Sequence, residues 1–153
     1  MIDTNQTGSG RIIAPIPSLT YDGARVALDA ARAHADQIGV PVNIAVCDAA
    51  GNLLAFARLP GAALLSAGIA QDKAWSVTAF NGVPTSDWFD AIRDKPALRE
   101  GIVHRDRLVI FGGGVPITVN GAVVGAVGCS GGTAEEDEEI AAAGVAAVTA
   151  AAG

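Results

Sequence analysis

Few side chains in this 153-residue chain are equipped for chemistry, and Lys73 is the most informative of them. At about 100° per residue, Leu65, Ile69, Lys73, Ser76 and Phe80 fall within one arc of roughly 80°, so an ammonium projects from an apolar stripe. An unpaired buried ammonium is costly. Lys73 therefore reaches the surface along its stem, pairs with an acid such as Asp72 or Glu139, or is held in a pocket for an anion or a carbonyl. Arg58 closes a line shared with Leu54 and Phe56, as a rim cation for an anionic ligand or as half of a salt bridge. His34 lies at the edge of a helical apolar stripe, and His104 sits in a charged, irregular segment beside Arg105 and Asp106. Either imidazole is suited to moving a proton or ligating a metal, and either is equally suited to a plain surface role.

The acids Glu135 to Glu139, with Asp137 among them, form an unbroken run of five. Carboxylates near a helix N-terminus are favoured by the macrodipole, so capping and solvation explain most of the run. One or two of them, with Glu138 and Glu139 as the candidates, are expected to turn inward as an acid, a base or a cation's partner. So many negative charges would repel a phosphate, which argues against a nucleotide site here. Gly112, Gly113 and Gly114 let backbone approach a ligand closely, and they equally suit a tight strand connection.

The elements that must position these groups can be placed from the stretch Val119 to Ala143. Asn120-Gly121 predicts a tight hairpin joining Pro116–Val119 to Ala122–Cys129, and the second strand is apolar on both faces, hence central. Thr133 and Glu136 form a capping box that opens the last helix after the Ser130-Gly131-Gly132 elbow. Upstream, Ser18 or Thr20 caps a helix that runs to Gly39, and Val42–Asp48 and Asn52–Leu59 read as a hairpin. Ala62–Phe80 reads as a helix that is apolar almost all round. Thr85 or Ser86 caps a short one through Trp88, Phe89 and Ile92, Asp94–Arg107 is irregular, and Leu108–Phe111 supplies a further strand. The order predicts an α+β fold: a five-stranded antiparallel sheet flanked by helices. Residues 1–17 read as a flexible arm and 18–153 as one domain. Trp75, Phe80, Trp88 and Phe89 form either one wall of a flat hydrophobic pocket or simply core. The expected pocket lies between the Ala62–Phe80 helix, the three glycines and the start of the last helix, with Lys73 as its main positive charge.

Composition narrows the partners. Half of the residues are apolar but only 17% are charged, which implies self-association into a homo-oligomer larger than a dimer. The net charge of −6 argues against a nucleic-acid groove, which would need an excess of Lys and Arg. No signal-like start and no apolar run of about 18 residues is present, so a soluble, cytoplasmic protein with no membrane partner is expected. Cys47 and Cys129 stand far apart, without CxxC or zinc-like spacing, and read as buried free thiols. GxGxxG opening a helix, GxxxxGK[ST], HExxH and GxSxG are all absent.

Three stretches in sequence order, DAAGNLLAFARL, QDKAWSVTAF and FGGGVPITVNGAVVGAVGCSGGTAEEDEEIA, resemble the GlcG/HbpS family over about Ser18 to Val148. These are also called haem-degrading or haem-binding domains, and their fold occurs as the C-terminal domain of PduO-type proteins. The resemblance implies a profilin-like fold in which the first strand of the N-terminal hairpin neighbours the last strand, so that Cys47 and Cys129 approach each other. It further implies ring-like or stacked assemblies and a haem or related tetrapyrrole ligand. Haem needs an axial donor, for which His34 and His104 are the candidates, an apolar slot, and cations near its propionates, as Arg58 and Lys73 would provide. The binding set then comprises Arg58, Lys73, Trp88, Phe89, Gly112, Gly113, Gly114 and Glu138. The alternative is a cofactor-independent isomerase, hydratase or lyase acting on a small carboxylated or carbonyl metabolite. There Lys73 and Arg58 would bind the substrate and Glu139 or His104 would move the proton. A scaffold with no ligand is the third reading.

Overall fold

The strand Ala122–Ser130 (β4) lies at the centre of the molecule, as its two-sided apolar pattern demands. The computed structural model describes residues 12–153, so the first eleven residues of the expected arm lie outside the described part; residues 12–17 are exposed and irregular. β4 pairs antiparallel with Asn43–Asp48 (β1) on one side and with Gly114–Val119 (β3) on the other. Leu53–Arg58 (β2) pairs with β1, giving the order β2-β1-β4-β3. The turn between β3 and β4 has Asn120 at φ 50° and Gly121 at φ 79°, the positive pair that a tight hairpin needs. In the β1–β2 turn, the Asp48 carboxylate accepts from the amides of Ala50 and Asn52.

The sheet therefore has four strands, not five. Leu108–Phe111 lies outside it because its backbone groups are taken by a helix side chain. Ser76 Oγ donates to Arg107 O at 2.8 Å and accepts from Val109 N at 3.0 Å, hanging the segment from the helix instead of a strand ladder. A run of four residues carries too little periodicity to show this in advance.

Helices cover both faces. Tyr21–Ile38 (α1) starts at Thr20, whose hydroxyl accepts from Gly23 N, and ends at Gly39 with φ 71°. Ala134–Ala152 (α5) opens on the expected capping box of Thr133 and Glu136. α1 and α5 bury Ala24, Ala27, Ala31, Ile140 and Val148 against Ile44, Val46, Val127 and Cys129. On the other face, Leu65–Ala79 (α2) packs Ala70, Ala74 and Val77 against Ala45, Cys47 and Ala126. These side chains are small, and α2 comes close enough that a Cβ on Gly128 would strike the Ala70 carbonyl. The buried face of α2 is thus rotated from the expected stripe, leaving Leu65 and Phe80 exposed.

After α2, a 3-10 turn at Thr85–Asp87 leads into the short helix Trp88–Ile92 (α3), and Pro96–Ile102 (α4) occupies part of the segment expected to be irregular. Cys47 and Cys129 do not approach each other. Cys129 pairs with Ile44 and Cys47 with Ala126, three residues along β1, so the two thiols face opposite sides of the sheet and both are free.

Candidate functional site

The groups named from the sequence are distributed over three places. The first is a closed ionic centre. Lys73 is wholly buried, and its Nζ donates to Asp137 Oδ2 at 2.9 Å and to Cys129 O at 2.8 Å. The Phe111 ring lies 5.1 Å from the same nitrogen. Asp137 Oδ1 also accepts from Gly132 N at 2.8 Å. Gly113, at φ 124°, crosses directly over the pair, and a Cβ there would come within 2.5 Å of Lys73 Nζ and of Cys129 O. Gly114 packs equally closely on the Lys73 carbonyl, and its amide donates to Thr85 Oγ1. The triple glycine therefore serves to fit backbone around an ion pair. Lys73 is absent from the lining of the two cavities described below, and its partner is neither Asp72, which binds Arg107, nor Glu139, which binds His34.

That partner was legible in principle. With Thr133 as N-cap, Asp137 is the fourth helical residue, and a helical side chain leans back towards the N-terminus, here over the Gly131-Gly132 elbow. Glu138 and Glu139 are turned away by one and two further steps. Beside the pair, burial and the Asp137 charge push the Cys129 thiol well above its ordinary range. Burial also raises Cys47 to about 11. Both thiols are packing groups rather than nucleophiles.

The second place is an acidic groove of about 470 Å3 lined by Ser86, Phe89, Ile110, Phe111, Gly112, Glu135 and Glu138. It lies between the glycine connection and the start of α5, as expected, but α3 and not α2 forms its remaining wall. Ser86 Oγ donates to Glu138 Oε1 at 3.2 Å. No cation lines it among the described residues.

The third place is a pocket of about 450 Å3 between α2 and the segment after α4, lined by Trp75, Ala79, Phe80, Trp88, His104, Arg105 and Arg107. Phe80 and Trp88 pack with their rings tilted by 53° and their centroids 4.7 Å apart. Arg107 lies 4.9 Å over the Trp75 ring and binds Asp72 through Nε at 2.9 Å, which fixes its guanidinium at the rim. Trp88 is buried, and its Nε1 is a donor with no acceptor among the described residues. His104 is exposed at the mouth. Arg105 and Arg107 were not expected as ligand groups; the cluster of His104, Arg105 and Arg107 was the signal, obscured by the charged, loop-like reading of the segment.

The other named residues lie apart. His34 Nε2 is 2.8 Å from Glu139 Oε1, joining α1 to α5 on the far face of the sheet. Arg58 donates to Ala62 O at 2.9 Å and closes the β2–α2 connection. Phe89 and Trp88, adjacent in sequence, line different cavities. Lys73 is bonded to Asp137 and Cys129 O, Glu139 to His34, and His104 lies at the aromatic pocket, so the described structure places the three at separate sites. Among the described residues no group of three or more His, Cys, Asp and Glu side chains could hold a metal ion, and no helix is long and apolar enough to cross a membrane.

A central antiparallel sheet with helices on both faces and an aromatic, arginine-rimmed pocket at one end defines an α+β domain with the makings of a small-ligand binder. The chain belongs to the HbpS-like family: the family model described as haem degrading protein HbpS-like matches residues 19–146. It is 37% identical over 127 residues to an uncharacterised 15.0 kDa protein of the dhaT-dhaS intergenic region of Citrobacter freundii, covering 82% of this chain and 89% of that one. The crystal structure of Klebsiella pneumoniae ORFY superposes with a TM-score of 0.84 at 31% identity, covering 92% of this chain and 97% of that chain. A PduOC–haem complex superposes with a TM-score of 0.77 at 32% identity, covering 85% and 94%.

Proposed function

We propose that this chain binds haem or a related tetrapyrrole in the pocket between α2 and the residues after α4, with His104 as the axial donor. The observation that carries this reading is the company His104 keeps. Of the chain's two histidines, His104 lines the aromatic pocket, whereas His34 is paired with Glu139. The residues present fit such a group. Trp75 and Phe80 would offer aromatic surface to a macrocycle, and Arg105 and Arg107, which line the same pocket, would supply cations for its carboxylate side arms. Trp88 Nε1 is a buried donor without a partner among the described residues, which costs about 1–3 kcal/mol. A bound haem would supply a redox-active iron whose properties the axial ligand and the polarity of the pocket set. The family membership and the haem complex of a relative support the same ligand class.

Filling the cavity tests the location. Ala79 is exposed and lines the pocket without belonging to the core, so Ala79→Trp occludes the pocket and leaves the fold in place. Haemin affinity measured by spectroscopic titration is expected to fall at least tenfold in this variant. Unchanged affinity in a folded Ala79→Trp protein would place the ligand elsewhere.

A further inference from the structure

Three of the five carboxylates from Glu135 to Glu139 are committed within the chain: Glu136 to the Thr133 amide, Asp137 to Lys73 and Glu139 to His34. The other two, Glu135 and Glu138, stand three residues apart on α5 and so share one helix face, and both line the acidic groove. Neither has a cationic partner among the described residues. The helix macrodipole accounts for a solvated acid at a helix start, as Glu135 would be alone. Glu138 is different, because it is half-buried and a carboxylate withdrawn from water without a counter-charge is costly.

The surroundings indicate what that charge would hold. Ser86 Oγ donates to Glu138 Oε1 at 3.2 Å, and Oε2 is left without a donor among the described residues. Oε2 lies against Gly112, where a Cβ would come within 2.9 Å of it, so bare glycine makes room for the carboxylate at the groove wall. Phe89 and Phe111, 51% and 50% exposed, bring two aromatic rings to the same groove. Ring faces and carboxylates both favour a cation, and the rings also favour an apolar body attached to it. A volume of about 470 Å3 suits one small molecule. With no third His, Cys, Asp or Glu grouped beside them, the two carboxylates offer too few ligands for a metal ion.

We propose that the acidic groove is a second ligand site, for a small organic cation of the primary alkylammonium class. The ammonium is held by Glu138 and Glu135, and its carbon chain lies on Phe89 and Phe111. This site shares no lining residue with the aromatic pocket, and its occupancy does not depend on what that pocket holds.

Nuclear magnetic resonance of the haem-free full chain, titrated with n-hexylammonium, tests this. The amides of Phe89, Gly112 and Glu138 should shift saturably, whereas 1-hexanol and hexanoate, which match the chain but lack the positive charge, should leave them in place. Glu138→Gln removes the charge and keeps an oxygen for Ser86, so far-ultraviolet circular dichroism should be unchanged while amine affinity falls at least tenfold. Phe89→Ala changes an exposed position and should also weaken binding, by loss of the ring rather than of the charge. Four results would each overturn the proposal: no saturable shift at millimolar amine, equal shifts with 1-hexanol, parent affinity in folded Glu138→Gln and Phe89→Ala proteins, or calcium ions that bind the same residues as tightly as the amine.

Discussion

Lys73 and Asp137 form the pair on which the interior depends most at the level of single residues. Both side chains are almost fully removed from water, at 1% and 4% exposure. Removing one partner of such a pair leaves the other charge buried and uncompensated, a loss of about 3–5 kcal/mol. Lys73→Met, though its chain would suit an apolar stripe, is therefore expected to lower unfolding free energy in urea by about that amount. Adding Asp137→Asn should recover part of it, since the amide oxygen can still accept from Gly132 N. A Lys73→Met protein as stable as the parent would show that the pair is not a structural centre. The sequence flagged Lys73 correctly as an anomaly inside an apolar helix, but not its partner. Five adjacent acids differ only in rotational phase, and that phase is set by the cap at Thr133. His104 was also visible. What remained hidden was that the chain folds it and two arginines against α2, because that fold-back rests on long-range contacts of Ser76, Asp72 and Trp75 with the segment.

Among the elements, the segment from Arg107 to Val109 shows most clearly what a sequence pattern omits. Its apolar run reads as a strand, yet Ser76 takes both the Arg107 carbonyl and the Val109 amide, and Arg107 itself adopts φ 67°. Strands with two-sided or alternating patterns and the Asn120-Gly121 turn were legible because local chemistry decides them. The Leu108–Phe111 segment was not, because a side chain 31 residues away in the chain decides it. Ser76→Ala should thus leave the sheet intact while freeing this strip, with a loss of about 1–3 kcal/mol from the two unsatisfied backbone groups. Hydrogen exchange provides the check. The Val109 amide should exchange much faster in Ser76→Ala, with β4 amides little changed, whereas equal protection at Val109 would show that something other than Ser76 holds the wall of the pocket.

For the whole molecule, the sheet divides the work. α1 and α5 bury an aliphatic layer on one face. α2 lies close on the other across small residues, and so leaves its C-terminal aromatics to line a cavity instead of filling a core. The pocket and the acidic groove are at the α3–α4 end, and the ionic centre between Lys73 and Asp137 anchors the backbone near them. The measurement that bears most directly on this account is the absorbance of the purified protein titrated with haemin, for the parent, His104→Ala and His34→Ala. The parent and His34→Ala should show a sharp Soret shift that saturates at one haem per subunit, and His104→Ala should lose that shift or bind at least tenfold more weakly. A His104→Ala protein that gives the parent spectrum and affinity, or a parent that gives no saturable Soret shift, would contradict the account.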